Sequence, residues 1–323
     1  MSYSEELKAE LLSKVPGAGH CVLAELAGMM CCGGAVECGE DGEDGTVSLV
    51  FSTEKENIAK KCFTFLKKSF NMNIVVGKHS AVSRRNTSYS VRVNGEREVF
   101  RCTEEMGFAL RGVWNRAERM PLAEVPCSLP EKPCCVRSFV RGAFLMGGAM
   151  NDPNKSYHYE IAVPSASVGD LLMQALARFD CEPKLWERRG SIAVYLKDAA
   201  QIADALTVMG ATAARVRFED IRVVRSKRGE VQRKVNCEVS NLAKTSRAAS
   251  KQIEAIGLIE QTMGLAALPE ELREMAQLRK ELPDASLQEL GANTEPPIGR
   301  SGVNHRLQKL LSIAEGLRLK EGG

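Results

Sequence analysis

The residues with most capacity for hydrogen bonding near the C-terminus share one predicted helix, from about Gly299 to Leu319. Apolar residues recur along one side of it at helical spacing: Val303, Leu307, Leu310 and Ala314. The other side and its flanks carry polar residues: Arg300, Ser301, Asn304, His305, Arg306, Gln308 and Lys309. Such side chains match base edges in the major groove of DNA. The pattern predicts a base-reading helix, although a helix that only packs has the same periodicity.

A shorter helix is predicted just before this one. Asp284 or Ser286 can cap it, Leu287 and Leu290 give it an apolar side, and Gly291 ends it. In a helix-turn-helix the first helix crosses the DNA backbone and orients the second. We therefore expect Ser286 to lie beside the DNA.

A basic segment lies between Arg217 and Lys234, where seven Lys or Arg residues face three acids. Arg225, Lys227 and Arg228 in its centre are candidate phosphate contacts. A solvated charged linker fits the composition equally well.

An internal repeat occupies the first two thirds of the chain. Residues 24–34 and 139–148 are each a short apolar run with a mid-way glycine, Gly28 or Gly142, and a Gly-Gly end. We expect two helices that approach backbone to backbone at these glycines, because a mid-helix glycine otherwise costs about 1 kcal/mol. The Gly-Gly end is expected to supply a left-handed residue after each helix.

Similar elements are predicted after each copy. The first half continues with strand 46–52, helix 54–69, strands 73–76 and 88–93 and a helix near 98–110; the second with strand 157–163, helix 167–179, strands 183–188 and 191–196 and helix 198–209. From Cys237 onward only helical patterns remain. The predicted fold class is α+β, as two repeated halves, 1–125 and 126–221, then a basic linker, 222–234, and an all-helical domain, 235–323.

Composition limits the classes of function. The net charge is only +3, and no apolar run is long enough for a membrane span. Without a signal-like N-terminus, we expect a cytoplasmic protein with no membrane partner. The 11 cysteines contain no C-x-x-C and the four histidines are scattered, so we expect buried thiols and no metal site or cofactor.

Several sequence segments resemble the WhiA family of bacterial regulators. They are residues 282–291, Pro296-Pro297 and 300–307 near the C-terminus, 235–245 at the entrance to the helical domain, and 141–145 with 151–158 in the second repeat. The resemblance implies a degenerate LAGLIDADG fold followed by a DNA-binding helix-turn-helix, with roles in sporulation and cell division. It also implies, besides double-stranded DNA, partners such as a WhiB-type iron–sulfur regulator or a sigma factor.

The repeated helix is also similar to that of LAGLIDADG homing endonucleases, in which each helix ends with a metal-binding acid. Here the matching positions are Gly33 and Gly147. The nearest acids, Glu37 and Asp152, are not equivalently placed, and a hard cation needs oxygen ligands. We therefore expect no catalytic residue and no enzyme.

The resulting hypothesis is a sequence-specific transcription regulator that associates with the nucleoid. Two alternatives remain: a metal-dependent nuclease that uses the repeat cleft, and a scaffold whose repeat binds a protein partner.

Overall fold

The computed structural model describes residues 2–38, 47–80, 87–114, 119–188 and 190–321. The chain divides into two compact units, Met1–Arg225 and Ser226–Gly323. Each unit has its own apolar core. Within the described ranges, no helix combines the length and the apolarity that crossing a membrane would take.

The first half of the N-terminal unit is a five-stranded antiparallel sheet with helices packed against it. Its elements are α1 (Tyr3–Ser13), α2 (Gly19–Gly33), β1 (Gly34–Cys38), β2 (Val47–Thr53), α3 (Glu56–Phe70), β3 (Val75–Ser80), β4 (Thr87–Asn94), α4 (Glu96–Glu105) and β5 (Arg119–Pro121). The strand order is β3-β4-β2-β1-β5. Alternation along β4 buries Val91 and Val93, which face the helices.

The second half repeats the order of helix, two strands, helix, two strands and helix. Its elements are α5 (Pro133–Gly147), β6 (Gly148–Met150), β7 (Tyr159–Val163), α6 (Ala166–Ala177), β8 (Lys184–Arg188), β9 (Ser191–Leu196) and α7 (Ala199–Met209). They form an antiparallel sheet of order β6-β7-β9-β8. The predicted pair of α+β halves is therefore confirmed.

Most of the predicted strands and helices are present within a few residues of their predicted bounds, and strand 191–196 is present as predicted. Of the predicted strand 46–52, Thr46 lies outside the described residues. Sequence analysis missed β1 and β6, which start directly at Gly34 and Gly148, and it missed α1. These strands are short and carry no alternating pattern, so only their pairing with β2 and β7 defines them.

The close approach predicted at the mid-helix glycines is confirmed. Helices α2 and α5 pack against each other, and each buries ten residues. A Cβ atom on Gly28 would lie 2.1 Å from the carbonyl oxygen of Phe139, and one on Gly142 would lie 2.1 Å from that of Glu25. Any larger residue at either position would push the helix backbones apart.

The explanation predicted for the Gly-Gly ends is wrong. Gly34 and Gly148, the first residues after α2 and α5, have φ of −96° and −73°, so neither is left-handed. Space requires these glycines instead: a Cβ on Gly147 would lie 2.0 Å from the carbonyl oxygen of Ala162, and one on Gly148 would lie 2.3 Å from the ring of Phe144. Glycine is needed at 147 because β7 packs against it, and at 148 because the Phe144 ring of α5 itself packs against it.

A buried ion cluster joins the helices around the same contact. The Glu25 carboxylate of α2 is fully buried and accepts hydrogen bonds from Arg141 of α5, at 2.9 Å from Nε and 2.6 Å from Nη2. Its other oxygen lies 2.7 Å from Nζ of Lys61 in α3, and burial lowers the pKa of Lys61. Lys61 also donates to the carbonyl oxygens of Leu11 and Lys14 at the end of α1. One carboxylate therefore fixes three helices.

A single long helix, α8 (Thr212–Thr262), contains the residues predicted as a basic linker, and the division between the units falls within it, after Arg225. Residues 222–234 are therefore helical. The segment contains no proline and one glycine, Gly229, which a helix tolerates at about 1 kcal/mol.

The C-terminal unit continues with three further helices, as the all-helical pattern of this region predicts; the last two were also predicted individually. They are α9 (Glu270–Glu281), α10 (Leu287–Ala292) and α11 (Arg300–Glu321). Ile256 and Ile259 of α8 and Met275 of α9 are completely buried in the core that these helices share.

Candidate nucleic-acid interface

The two sides of α11 are arranged as the sequence predicts. Val303, Leu307, Leu310 and Ala314 are all at most 3% exposed and pack in the core of the C-terminal unit. The polar residues on the other side are exposed: Arg300, Ser301, Asn304, His305, Gln308 and Lys309. A helix held by one apolar side and presenting hydrogen-bonding groups on the other meets the physical requirement for insertion into a DNA groove.

Helix α10 begins with a reciprocal cap at Ser286. The Ser286 hydroxyl accepts a hydrogen bond from the Glu289 N–H at 3.2 Å, and the Ser286 N–H donates to the Glu289 carboxylate at 2.7 Å. The second bond holds the pKa of Glu289 below its usual value. This capping box fixes the start of α10, and with it the position of Ser286.

A tight connection sets α10 against α11. The N–H of Ile298 donates to the carbonyl oxygen of Gly291 at 3.0 Å, and a Cβ on Gly291 would lie 2.2 Å from the carbonyl oxygen of Ile298. Thr294 is buried and donates to the carbonyl oxygens of Gly291 and Pro296. The angle between α10 and α11 is therefore fixed, because Gly291 packs directly against Ile298 and the backbone carbonyl groups of the connection are hydrogen-bonded.

A groove of about 420 Å³ runs beside the N-terminal ends of α10 and α11. Four predicted residues line it: Ser286, Arg300, Asn304 and Gln308. Five polar residues of the same groove were not predicted from the sequence: Lys244, Thr245 and Gln252 on α8, Arg279 on α9 and Gln288 on α10. Lys244 and Thr245 end the segment 235–245 that carries the family resemblance, which was the available signal.

Arg279 lies under this groove. Its side chain is among the largest fully buried ones, and Nη1 donates to the carbonyl oxygens of Pro283, at 3.3 Å, and Ala285, at 2.8 Å. Burial lowers its pKa. Within the described ranges no carboxylate forms an ion pair with it. The guanidinium therefore holds the loop before Ser286 and adds positive charge beneath the groove.

Arg306 has a different environment from the rest of the predicted set. Its side chain is only 15% exposed, and it forms ion pairs with Glu274 at 3.1 Å and Glu271 at 3.7 Å, both on α9. Arg306 therefore lies on the flank of α11 that faces α9. At about 100° per residue, Arg306 lies roughly 60° around the helix from Val303 and roughly 40° from Leu310, both of them buried, so it flanks the packed side of α11.

The three predicted phosphate contacts of α8 also differ from one another. Arg225 stacks over the ring of Tyr157 at 4.4 Å and donates to the carbonyl oxygen of Pro153, so it is engaged inside the N-terminal unit. Lys227 and Arg228 are exposed. The structure thus leaves the latter two available to a ligand.

The ends of α2 and α5, where a nuclease of this shape would hold metal, offer no matched carboxylates in the described part of the chain. Glu37 of β1 forms ion pairs with Arg92, at 3.1 Å, and Arg119. Asp152 accepts a hydrogen bond from the Asn154 N–H at 2.9 Å, which lowers its pKa. Each acid is held by its own partners.

A cluster that sequence analysis did not find lies at the opposite ends of these helices. His20 and Cys21 lie in the first turn of α2, Cys134 and Cys135 lie in the first turn of α5, and their four ligand atoms are all within 4.8 Å of one another. Each pair consists of adjacent residues, and the two pairs lie far apart in the sequence, so no spacing motif indicated the cluster.

Comparisons with known proteins agree with this architecture. Family models for the WhiA N-terminal LAGLIDADG-like domain, the WhiA LAGLIDADG-like domain and the WhiA C-terminal HTH domain match residues 19–106, 136–228 and 231–314. The crystal structure of full-length WhiA from Thermatoga maritima has 24% identity and a TM-score of 0.55, over 98% of each chain, and supports the fold.

Curated relatives match over their whole length. A probable cell division protein WhiA from Lachnoclostridium phytofermentans is 40% identical over 98% of this chain and 100% of its own. Another, from Heliobacterium modesticaldum, is 40% identical over 100% of this chain and 98% of its own. This chain therefore belongs to the WhiA family, with two LAGLIDADG-like domains followed by a helix-turn-helix domain.

Proposed function

We propose that this chain is a sequence-specific DNA-binding regulator of transcription that acts in cell division and sporulation and associates with the nucleoid. The observation that carries the proposal is the polar face of α11, which is fixed by its buried side and continues into the groove beside α10. The names of the curated relatives supply the link to cell division.

Base selection is assigned to exposed residues of α11. Arg300, Asn304 and Gln308 follow one another at four-residue spacing beside the groove, and Ser301 and His305 lie next to them on the outer face. Arg pairs with guanine, and Asn or Gln pairs with adenine. Arg306 is not assigned a base contact, because its guanidinium forms ion pairs with two carboxylates of α9.

Affinity is assigned to cations that neutralise phosphates. Lys309, Lys227 and Arg228 are exposed, and Lys244 lies at the groove with Ser286. Phosphate contacts strengthen binding to every sequence and make it sensitive to salt. Arg225 is expected to contribute only through the field of its charge, since its side chain is held against Tyr157.

The test is selection of a preferred site with the full chain, followed by fluorescence anisotropy on that duplex and a scrambled one. Asn304→Ala and Gln308→Ala should each lose about 1–3 kcal/mol of discrimination, which is roughly 5- to 150-fold. The matched control is Gln277→Ala, an exposed glutamine on α9. Wild-type affinity and sequence preference in both α11 variants would overturn the assignment.

We propose further that the chain has no nuclease activity, because Glu37 and Asp152 are separately engaged and Gly33 and Gly147 provide no ligand. Supercoiled plasmid incubated with Mg²⁺ or Mn²⁺ should remain intact. Nicking that Asp152→Ala abolishes would contradict this. A WhiB-type iron–sulfur regulator or a sigma factor stays a predicted partner, to be tested by pull-down without DNA.

A further inference from the structure

Both helices of the repeat carry potential metal ligands at their second and third positions. His20 and Cys21 are the second and third residues of α2, and Cys134 and Cys135 are the second and third residues of α5. Because α2 and α5 pack side by side, the four side chains meet between the two N-terminal ends. Each half of the repeat supplies two ligands.

The distances in the cluster fit a single metal ion. The Sγ atom of Cys135 lies 3.0 Å from Nδ1 of His20, and Sγ of Cys21 lies 3.3 Å from the same nitrogen. All four ligand atoms are within 4.8 Å of one another. With Zn–S of about 2.3 Å and Zn–N of about 2.0 Å, a tetrahedral site has separations of roughly 3.5 Å between sulfur and nitrogen and roughly 3.8 Å between two sulfurs. The two S–N distances are a few tenths of an ångström shorter than this and no pair of ligand atoms is more than 4.8 Å apart, so rotations of the side chains would bring the four atoms to tetrahedral separations.

The burial pattern indicates a structural site. Cys21 and Cys135 are buried and pack with Ala24 in a small apolar cluster of their own, whereas His20 and Cys134 are exposed and close the site from outside. All eleven cysteines are free, so no disulfide occupies the position. Three sulfur ligands and one imidazole match borderline-soft cations and not the oxygen-seeking Mg²⁺ or Ca²⁺.

We infer that His20, Cys21, Cys134 and Cys135 form a four-ligand Zn²⁺ site that fastens the N-terminal ends of α2 and α5 together. All four positions of the tetrahedron are filled by protein, so the ion leaves no position for a substrate. It joins residues 115 apart in sequence at the end of the helix pair remote from Gly33 and Gly147. The expected consequence is a more rigid contact between the two halves of the repeat.

The test uses the full chain, stripped of metal with a chelator under reducing conditions and titrated with Co²⁺. Tetrahedral cobalt with thiolate ligands gives strong visible bands and a near-ultraviolet charge-transfer band. We expect saturation at one ion per chain and loss of the bands on adding Zn²⁺. An octahedral spectrum, or no binding, would overturn the inference.

Variants identify the ligands. Cys134→Ser, which changes an exposed residue and should leave the fold intact, and Cys135→Ser should each weaken Co²⁺ binding by more than the roughly 10- to 100-fold that changes outside the first coordination shell cause. The matched controls are Cys181→Ser, at a buried thiol, and Cys237→Ser, at an exposed one, and both should bind as the wild type does. Circular dichroism checks that every variant is folded.

Two further results would contradict the site. One is unchanged Co²⁺ binding in the double variant Cys134→Ser/Cys135→Ser, which would place the metal at other thiols. The other is a disulfide among Cys21, Cys134 and Cys135, found by mass spectrometry of the freshly purified chain in place of bound zinc. Measurement of zinc in the purified wild type should instead give one ion per chain.

Discussion

The contact between α2 and α5 can be tested by adding a single methyl group. In Gly28→Ala the new Cβ would lie 2.1 Å from the carbonyl oxygen of Phe139 and 3.0 Å from the backbone nitrogen of Ala143. The first separation is about 1.3 Å shorter than the 3.4 Å at which ordinary contact begins. A backbone carbonyl inside a helix cannot rotate away, so the helices must separate.

The size of the effect follows from two opposed terms. Alanine has a higher helix propensity than glycine by about 1 kcal/mol. Overpacking a buried contact costs about 1–3 kcal/mol, and the upper end applies here because the obstacle is backbone. Separation also weakens dispersion contacts along the faces of α2 and α5 that are completely buried. We expect a net loss of at least about 2 kcal/mol, or roughly 4–8 °C in Tm for a unit of this size.

The assay is urea unfolding followed by tryptophan fluorescence, because both tryptophans, Trp114 and Trp186, lie in the N-terminal unit and report on it alone. The matched control is Gly19→Ala in the same helix, where nothing lies within 4 Å of a new Cβ. It should change the free energy of unfolding by only a few tenths of a kcal/mol. A Gly28→Ala chain as stable as the wild type would refute the close approach of the two backbones.

Three further predictions concern charge and capping. Glu25→Gln leaves two buried cations without a carboxylate and should lower the free energy of unfolding by about 3–5 kcal/mol in the same urea assay; an unchanged midpoint would contradict the buried ion cluster. Ser286→Ala should cost about 1 kcal/mol, measured by far-ultraviolet circular dichroism. The Ser286 N–H, which the variant keeps, is the main cause of the depressed folded pKa of Glu289, so the contribution of this bond is present above the unfolded value of 4.5 and is lost as pH falls through the folded pKa in variant and wild type alike. Lys309→Ala should weaken binding to specific and scrambled DNA alike and reduce the slope of log K against log salt by about 0.9, whereas a loss confined to the specific duplex would make Lys309 a base contact.

The elements of this protein follow largely from its sequence. The stripe from Val303 to Ala314 is buried as its spacing predicts, because a helix of 3.6 residues per turn places those positions on one side. Strand 191–196 has its predicted bounds, and Gly28 and Gly142 lie at the helix contact. These features can be predicted because they depend on residues close together in the sequence or on the size of one residue.

Which arginine side chains are engaged by other residues and which remain exposed was decided by tertiary structure. Helical periodicity places Arg306 on a flank of α11, but only the packing of α9 supplies Glu271 and Glu274 and turns that arginine inward. The same holds for Arg225, which Tyr157 and Pro153 engage. An ion pair depends on which charges the fold brings near, and local sequence does not contain that information.

Sites assembled from distant segments depended wholly on the fold. The groove joins residues of α8, α10 and α11, and the cluster of His20, Cys21, Cys134 and Cys135 exists only because two repeated helices start side by side. The sequence by itself determined most of the elements, the buried face of α11 and the resemblance to the family. Tertiary structure decided which polar groups are free, which are paired and which meet, because these depend on contacts between residues far apart in the chain.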